Sequence, residues 1–378
     1  MRANTGVDKK ALHRLFTSAG PVASVYVELA APPEEDVWLR WQALTGRLAE
    51  QGADRATIES LTRRVSESVP GSGVLAAFAA HGEVLFALEM PGSDRPDLAV
   101  YDALPHVLPL LEWVQERPAY VLALVDRTGA DVAAYPCGAT EALVQVVDGT
   151  DDEIVRNAPG GWSQMRHQHR AEDSWEHNAV RVADALVRTV ADLDARLLLL
   201  AGDVRALQYL TKHLPERVRR EVSIRYVSGG RSPDGAEKDR AAQVAAETRR
   251  AADEQTRSLL HLLEERKGPS GRAVEGVQET LDALTQGRVY TLLVVDDPLD
   301  RRTAWFGRHP TQVSRDREDL ADAGASEITR GPLIDVAVRC ALLTGAGIHV
   351  VRAGAPDAPA EGIGALCRFA AVSAEQGA

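Results

Sequence analysis

The chain has 378 residues and a formal net charge of −12, with 45% hydrophobic and 26% charged residues. This length exceeds what one ordinary core organises and predicts two or three domains, and the composition is typical of a globular protein. The acidic balance argues against indiscriminate nucleic-acid binding, although a local basic patch can still bind phosphates.

The spacing of the cysteines and the hydropathy of the chain narrow the possible classes of protein further. The three cysteines are widely separated, which argues against a disulfide framework and against a cysteine-based zinc site; they are Cys137, Cys340 and Cys367. The N-terminal stretch lacks the apolar segment of a secretory signal, and no run of about 18 apolar residues occurs. We therefore expect a cytoplasmic protein with no membrane partner.

The first predicted domain, residues 1–116, mixes strands and helices. The stretch "PVASVYVEL" has the β-branched and small residues of a strand. Residues 35–68 carry apolar positions at helical spacing. Next, "GVLAAFAAHGEVLFALEM" predicts a hairpin whose two apolar runs flank a tight turn at His81-Gly82.

The second predicted domain, residues 117–270, begins with "AYVLALVDRTGADVAAYPCG", a strand, a turn and a second strand. A long helix begins near Ser163, because apolar residues recur on one stripe beyond it. The apolar run "RLLLLAG" fits a buried parallel strand. The remaining predicted elements are a strand at 141–147, a helix at 203–214, the strand "EVSIRYV" and a charged helix at 239–266.

The third predicted domain, residues 271–378, follows the linker-like stretch "RKGPSG". "VQETLDALTQGRVYTLLVVDD" reads as helix, glycine and strand, with Gly287 at the position of a helix C-cap. "GPLIDVAVRCALLTGAGIHVVR" repeats this order, and "DPLDRRTAWFGRHP" is a polar insertion between the two. Strands that alternate with helices predict an α/β sandwich.

The stretch "APGGWSQMRHQHRAEDSW" is the candidate binding site. Gly160 and Gly161 let the backbone come close to a ligand, and they precede a helix N-terminus, where backbone N–H groups favour anions. Arginines and histidines follow at once, which suits a phosphodiester chain. An ordinary loop before a helix explains the glycines as well, because Gly-Gly is common there.

Two features of this region have alternative interpretations. Trp162 is either a hydrophobic staple at the helix start or an exposed ring on which a base stacks. His169, Asp173 and His177 share a helical spacing that zinc would accept, but their charged neighbours favour a solvated helix face. We therefore predict no metal site.

Conventional catalytic motifs do not occur. The sequence contains no GxxxxGK[ST], no HExxH and no GxSxG, and no nucleophile–base pair is recognisable in it. We expect no cofactor and no small-molecule substrate.

The segment "GGWSQMRHQHRAEDSWEHNAVRVAD" resembles the second domain of archaeal and eukaryotic class-I peptide release factors. There a Gly-Gly-Gln tip precedes a serine and an arginine-rich start of a long helix, with a later His-Asn. The residues that fit this layout are Ser163, Arg166, Arg170, His177, Asn178, Val180 and Arg181. Other stretches resemble the family's first and third domains in the right order. The resemblance is to the bacterial branch, with its actinobacterial members and the ribosome-hibernation factor Balon.

This resemblance implies a three-domain α/β architecture. The central domain would be RNase H-like with a protruding loop–helix tip, and the C-terminal domain would be an L7Ae/L30e-like sandwich. The resemblance also implies binding to the ribosomal A site, with rRNA, peptidyl-tRNA and a translational GTPase as candidate partners. The implied tip comprises Gly160, Gly161, Trp162, Ser163, Gln164, Arg166, His167, His169 and Arg170.

Two departures from the family pattern shape the functional prediction. Trp162 stands where hydrolytic members have glutamine, and a glutamine occurs only two positions later, at Gln164. The Asn-Ile-Lys-Ser codon-reading motif is absent from residues 1–115. We predict a non-hydrolytic A-site factor that acts in hibernation or on stalled ribosomes. The alternatives are a peptidyl-tRNA hydrolase or tRNA-end-cleaving rescue enzyme that uses Gln164, and a structured-RNA-binding protein outside translation.

Overall fold

The computed structural model describes residues 9–29, 35–148, 161–231, 235–267 and 271–370. The described residues divide into two compact units: residues from 114 to 254 form one, and residues 9–113 together with those from 255 to 370 form the other. The domain boundaries expected at 116/117 and 270/271 stay predictions.

The described residues form a mixed α/β structure, as the sequence predicts. The helices are α1 Lys9–Thr17, α2 Glu35–Glu50, α3 Arg55–Ser66, α4 Leu108–Gln115, α5 Gly161–Leu193, α6 Val204–His213, α7 Glu216–Glu221, α8 Glu237–Arg266, α9 Val277–Thr285, α10 Arg317–Asp322 and α11 Leu333–Leu343. The strands are β1 Val22–Leu29, β2 Gly73–Ala80, β3 Glu83–Met90, β4 Leu98–Asp102, β5 Tyr120–Val125, β6 Gly129–Tyr135, β7 Leu143–Asp148, β8 Leu197–Gly202, β9 Ser223–Tyr226, β10 Ala273–Glu275, β11 Val289–Val295, β12 Thr303–Phe306, β13 Val313–Ser314, β14 Thr329–Pro332, β15 Gly347–Val351 and β16 Ile363–Cys367.

The N-terminal sheet is antiparallel, with strand order β3-β2-β1-β4. The hairpin is confirmed: His81 and Gly82 join β2 to β3 with φ of 52° and 78°. Positive φ at both turn residues matches the right-handed twist of the flanking strands. The helical stretch 35–68 forms two helices, because Asp54 caps α3 by accepting a hydrogen bond from the Thr57 N–H.

The central sheet has strand order β7-β6-β5-β8-β9. Its first three strands form an antiparallel meander, and β8 and β9 run parallel to β5, which is the RNase H-like arrangement. The strand "RLLLLAG" is confirmed as buried and parallel; Leu198 and Leu200 are fully buried. Helix α7 was not predicted, because it is short and buries only Val218.

The C-terminal part contains two sheets. The larger has order β10-β16-β11-β15, in which β11 and β15 are parallel. Gly287 has φ of 65° just after α9, which confirms its predicted place at the end of that helix. The polar insertion contributes to a smaller sheet, β13-β12-β14, that the sequence pattern does not reveal because its strands have only two to four residues. Among the helices described, none is both long and apolar enough to span a membrane.

Buried His349 makes the stability of the C-terminal sheet depend on pH. Its Nε2 atom lies 2.9 Å from the Thr256 hydroxyl, and burial lowers the pKa of His349 to about 4. An unfolded histidine titrates near 6.5, so the unfolded chain binds the proton more readily and stability is lost as pH falls from 6.5 towards 4.

We expect this histidine to cost about 1 kcal/mol between pH 7 and pH 5.5. In His349→Gln, which has no titratable ring, urea unfolding at the two pH values should lack this component. An equal pH response in variant and wild type would contradict the assignment.

Candidate functional site

The predicted tip residues lie at the start of one long helix. Helix α5 has 33 residues and begins at Gly161, two positions before the expected start. Its first three turns hold positions 161–170, whose backbone is described. The predicted tip residues on this helix are Gly161, Trp162, Ser163, Gln164, Arg166, His167, His169 and Arg170. Gly160 lies outside the described residues, and along α5 the side chains are described from Glu176 onward.

Asn178 joins α5 to the turn between β5 and β6. This side chain is only 4% exposed, and its Nδ2 donates a hydrogen bond to the Arg127 carbonyl at 3.0 Å. From the next turn onward the helix buries an apolar stripe against the central sheet, including Val182, Leu186 and Val190. Asn178 follows Gly161 by 17 positions, about 25 Å along a helix that rises 1.5 Å per residue.

A second contact secures the helix two residues earlier, about half a turn from Asn178. The Glu176 carboxylate accepts hydrogen bonds from Lys212 at 3.1 Å and from His213 at 3.2 Å when that ring is protonated there. The Lys212 hydrogen bond and charge, followed by those of His213, lower the pKa of Glu176. The pairs are exposed, so they orient the helix more than they stabilise it.

The turn that receives Asn178 is itself ordered by one carboxylate. Asp126 Oδ1 accepts hydrogen bonds from the Thr128 N–H at 2.8 Å, the Thr128 hydroxyl at 2.7 Å and the Gly129 N–H at 3.0 Å. Position 129 requires glycine, because a Cβ at this position would lie 2.1 Å from the Val147 carbonyl oxygen. The sequence "DRTG" therefore determines the local shape of the turn.

Arg231 ties three carboxylates to this end of the sheet. Its guanidinium lies 3.2 Å from Asp126, 3.1 Å from Asp131 and 3.2 Å from Asp148. Burial alone would raise the pKa of Asp126, but the hydrogen bonds from Thr128 and the charge of Arg231 outweigh it and lower that pKa. The carboxylates raise the pKa of Arg231 against the effect of its burial. The cluster fixes β5, β6 and the end of β7 to one another.

This arrangement holds a helix in place and is poorly suited to catalysis. With its pKa lowered, Asp126 is a weak base near neutral pH, and all three carboxylates are already bound by a cation. Of the alternative zinc ligands, only His177 has a described side chain, so that arrangement is not tested. Among the described residues, no group of three His, Cys, Asp or Glu is placed to hold a metal.

Sequence reasoning did not identify Arg231 or its carboxylates. Arg231 lies in the stretch "SGGRSPDG", whose composition indicates only a loop, and its partners are 83 to 105 positions away. The sequence marks Asn178 only as part of a motif. The available signal was a polar residue inside the apolar stripe of a helix, which must find a hydrogen-bond partner when buried.

Comparisons with known proteins identify a family for the region that contains the central sheet and α5. The family described as bacterial archaeo-eukaryotic release factor family 2 matches residues 119–269, which contain the central sheet, α5 and Arg231. Uncharacterized proteins MT2704 and Rv2629 of Mycobacterium tuberculosis strains CDC 1551 / Oshkosh and ATCC 25618 / H37Rv are each 32% identical over 368 residues. The match covers 96% of this chain and 97% of theirs.

The chain belongs to the bacterial archaeo-eukaryotic release factor family.

Solved structures of other proteins were also found to be similar to this release-factor family member. An archaeal translation termination factor, aRF1, is 19% identical with a TM-score of 0.25, and the match covers 97% of this chain and 100% of that one. Archaeal Pelota, in a model of its ribosome-bound form with ABCE1, is 15% identical with a TM-score of 0.40, covering 98% and 96%. The match of the family to residues 119–269 confirms the family resemblance found in the sequence.

Proposed function

We propose that this protein is a ribosome-associated factor that occupies the A site without hydrolysing peptidyl-tRNA, in hibernation or on stalled ribosomes. Family membership supports a role in translation. The observation that carries the proposal is α5: one unbroken helix bears the Arg/His-rich tip in its first three turns, and Asn178 holds it to the sheet about 25 Å away. A rigid base of this kind suits insertion of the tip into a cavity lined by RNA.

The charge distribution supports the same function. Arg156, Arg166 and Arg170 cluster around the glycine pair in a chain whose net charge is −12. Such a protein binds phosphates through this local patch while its remaining surface stays acidic. We propose rRNA and the end of a bound tRNA as partners, with a translational GTPase as an additional candidate. The Balon-type hibernation factor included in the resemblance is an analogue for this proposed function.

The tip argues against hydrolysis. Trp162 replaces the family's glutamine, and its indole would compete with the tRNA end for space. Gln164 is two positions further on, which places it about 200° around the helix axis from position 162. A glutamine at that position does not replace the missing one geometrically. We therefore rank hydrolysis through Gln164 second, and structured-RNA binding outside translation third.

Charge reversal at the tip tests ribosome binding. We expect wild-type protein to co-sediment with vacant 70S ribosomes, and Arg166→Glu with Arg170→Glu to weaken this association at least tenfold, because phosphate contacts are replaced by repulsion. Raising the salt from about 50 to 200 mM should weaken the wild-type association in the same direction.

The matched control makes the same charge change on exposed side chains outside the tip. Arg188→Glu with Arg196→Glu should bind like wild type. Equal loss in both double variants would point to a general charge effect, and salt-insensitive binding would point to protein–protein docking. Either result would contradict the proposed role of the tip.

A release assay separates the first two functions. Ribosomes that carry labelled peptidyl-tRNA should retain their peptide in the presence of the protein. Peptide release by the wild type that disappears in Gln164→Ala would establish the hydrolase and overturn the non-hydrolytic proposal.

A further inference from the structure

The small sheet β13-β12-β14 has one side that packs inward and one side with exposed residues. Side chains alternate along β12, so Ala304 and Phe306 point to one side and Thr303 and Trp305 to the other. Ala304 is fully buried, and the Arg339 guanidinium lies 4.9 Å from the Phe306 ring centre. The first side therefore packs inward. The second side, which we call the Trp305 face, consists of Thr303, Trp305, Ser314 and Arg330.

An arginine and a tryptophan form a flat platform on this face. Arg330 is the direct cross-strand partner of Trp305, and its guanidinium lies 6.0 Å from the indole ring centre. The Arg330 Nε donates a hydrogen bond to the Thr303 hydroxyl at 2.9 Å, which fixes the orientation of the guanidinium. Thr303 and Arg330 are exposed and Trp305 is half-buried. The pair thus presents a preorganised aromatic and cationic surface.

Further arginines lie before and after β12. Arg301 precedes β12 and Arg308 follows it, and both are exposed. Within the part of the chain that the structure describes, neither they nor Arg330 have a carboxylate within 4 Å, whereas Arg302 is paired with Asp300. Asp319 accepts a hydrogen bond from the Ser314 hydroxyl, so one carboxylate borders the face on the β13 side. Arginines lie at the two ends of β12 and on β14, and Asp300 interacts with Arg301 at the start of β12.

We propose that the Trp305 face binds single-stranded nucleic acid. A base stacks on Trp305, and the adjoining phosphates meet Arg330 and the arginines at the two ends of β12. A four-residue strand spans about 13 Å, which is room for one or two nucleotides of an extended chain. An acidic peptide would satisfy the arginines but leave the indole unused, whereas a polynucleotide uses both.

This site is independent of the α5 tip, so its test uses isolated oligonucleotides and no ribosomes. Fluorescence anisotropy of labelled 12-residue poly-U RNA and poly-dT DNA, at about 50 mM salt, should show binding by wild-type protein. Trp305→Ala and Arg330→Glu should each weaken binding about tenfold or more, since base–aromatic stacking and phosphate contacts are lost. A preference for one oligomer identifies the natural source of the strand.

The controls separate this face from the tip and from general effects. Trp38→Ala removes a tryptophan that is 39% exposed on α2, outside the face, and should bind like wild type. Because the tip is also proposed to bind phosphates, Trp305→Ala should weaken oligonucleotide binding in the Arg166→Glu with Arg170→Glu background as well.

A conservative variant distinguishes loss of the binding surface from misfolding. Trp305→Phe keeps an aromatic ring, so it should bind RNA more strongly than Trp305→Ala. RNA should quench tryptophan fluorescence in wild type and in Trp38→Phe, and this quenching should be lost in Trp305→Phe. The proposal is overturned if wild type shows no binding up to about 100 µM, or if Trp305→Ala and Trp38→Ala bind equally. Loss of binding only in the tip variant would overturn it as well.

Discussion

Replacing His106 with leucine is expected to lower the free energy of unfolding by about 3–4 kcal/mol. His106 Nδ1 lies 3.2 and 3.3 Å from the two carboxylate oxygens of Asp335, which is only 2% exposed. The histidine backbone is also held, because its N–H donates to Ser24 Oγ and its carbonyl accepts from the Tyr26 hydroxyl. Leucine would leave a buried carboxylate in the first turn of α11 without a cation. Urea unfolding at pH 6 measures the effect.

A double variant distinguishes this loss from a packing defect. His106→Leu with Asp335→Leu removes both polar partners, so it should be more stable than His106→Leu alone. If the double variant is as unstable as the sum of the two single variants, the pair contributes no coupling and the prediction is wrong.

The same pair predicts a pH response with a defined sign. Burial would lower the pKa of His106, but the charge of Asp335 and its hydrogen bond outweigh burial, and the pKa is raised. A raised pKa in the folded state contributes stability that is fully present below about pH 6.5 and is lost as pH rises through the raised value. The difference between wild type and His106→Leu should therefore be largest below pH 6.5 and become smaller in alkaline solution.

Replacing Arg231 with methionine is expected to lower the free energy of unfolding by about 2–3 kcal/mol. The guanidinium bonds Asp126, Asp131 and Asp148, and without it three carboxylates face one another at one end of the central sheet. Methionine preserves much of the side-chain volume, so the change acts mainly on charge. Asp148 is 73% exposed, and water screens its part of the repulsion. Chemical denaturation at pH 7 measures the loss.

Acid should reduce this difference between wild type and variant. The pKa of Asp126 is lowered in the folded state, so its contribution is present above about pH 4 and is lost as pH falls through the lowered value. Lys212→Met is a suitable control, because it removes a cation of the same unit from an exposed pair with Glu176. That control should cost less than 1 kcal/mol. A comparable loss in both variants would show that Arg231 is no more than a surface charge.

Much of the fold was predictable because its elements leave local patterns. The hairpin turn at His81-Gly82, the glycine after α9 and the apolar run of β8 each follow from a short stretch of chain. Helix α7 and the small C-terminal sheet were not predicted, because an element of two to six residues is too short to show a periodic pattern of apolar residues. The position of α5 was predicted to within two residues, whereas the surroundings of its tip stay a prediction.

The sequence by itself determined the order of the longer strands and helices and the family, and it supplied the residues at the start of α5 for which we propose a function. These features depend on side-chain periods of two and 3.6 residues and on short motifs, all of which act between near neighbours in the chain. Only the tertiary structure decided that Arg231 joins three aspartates, that Asn178 holds the Arg127 carbonyl, and that His106 meets Asp335 from 229 positions away. The physical reason is that a charge or a buried polar group requires a partner, while the identity of that partner depends on which distant segments the packed core brings together.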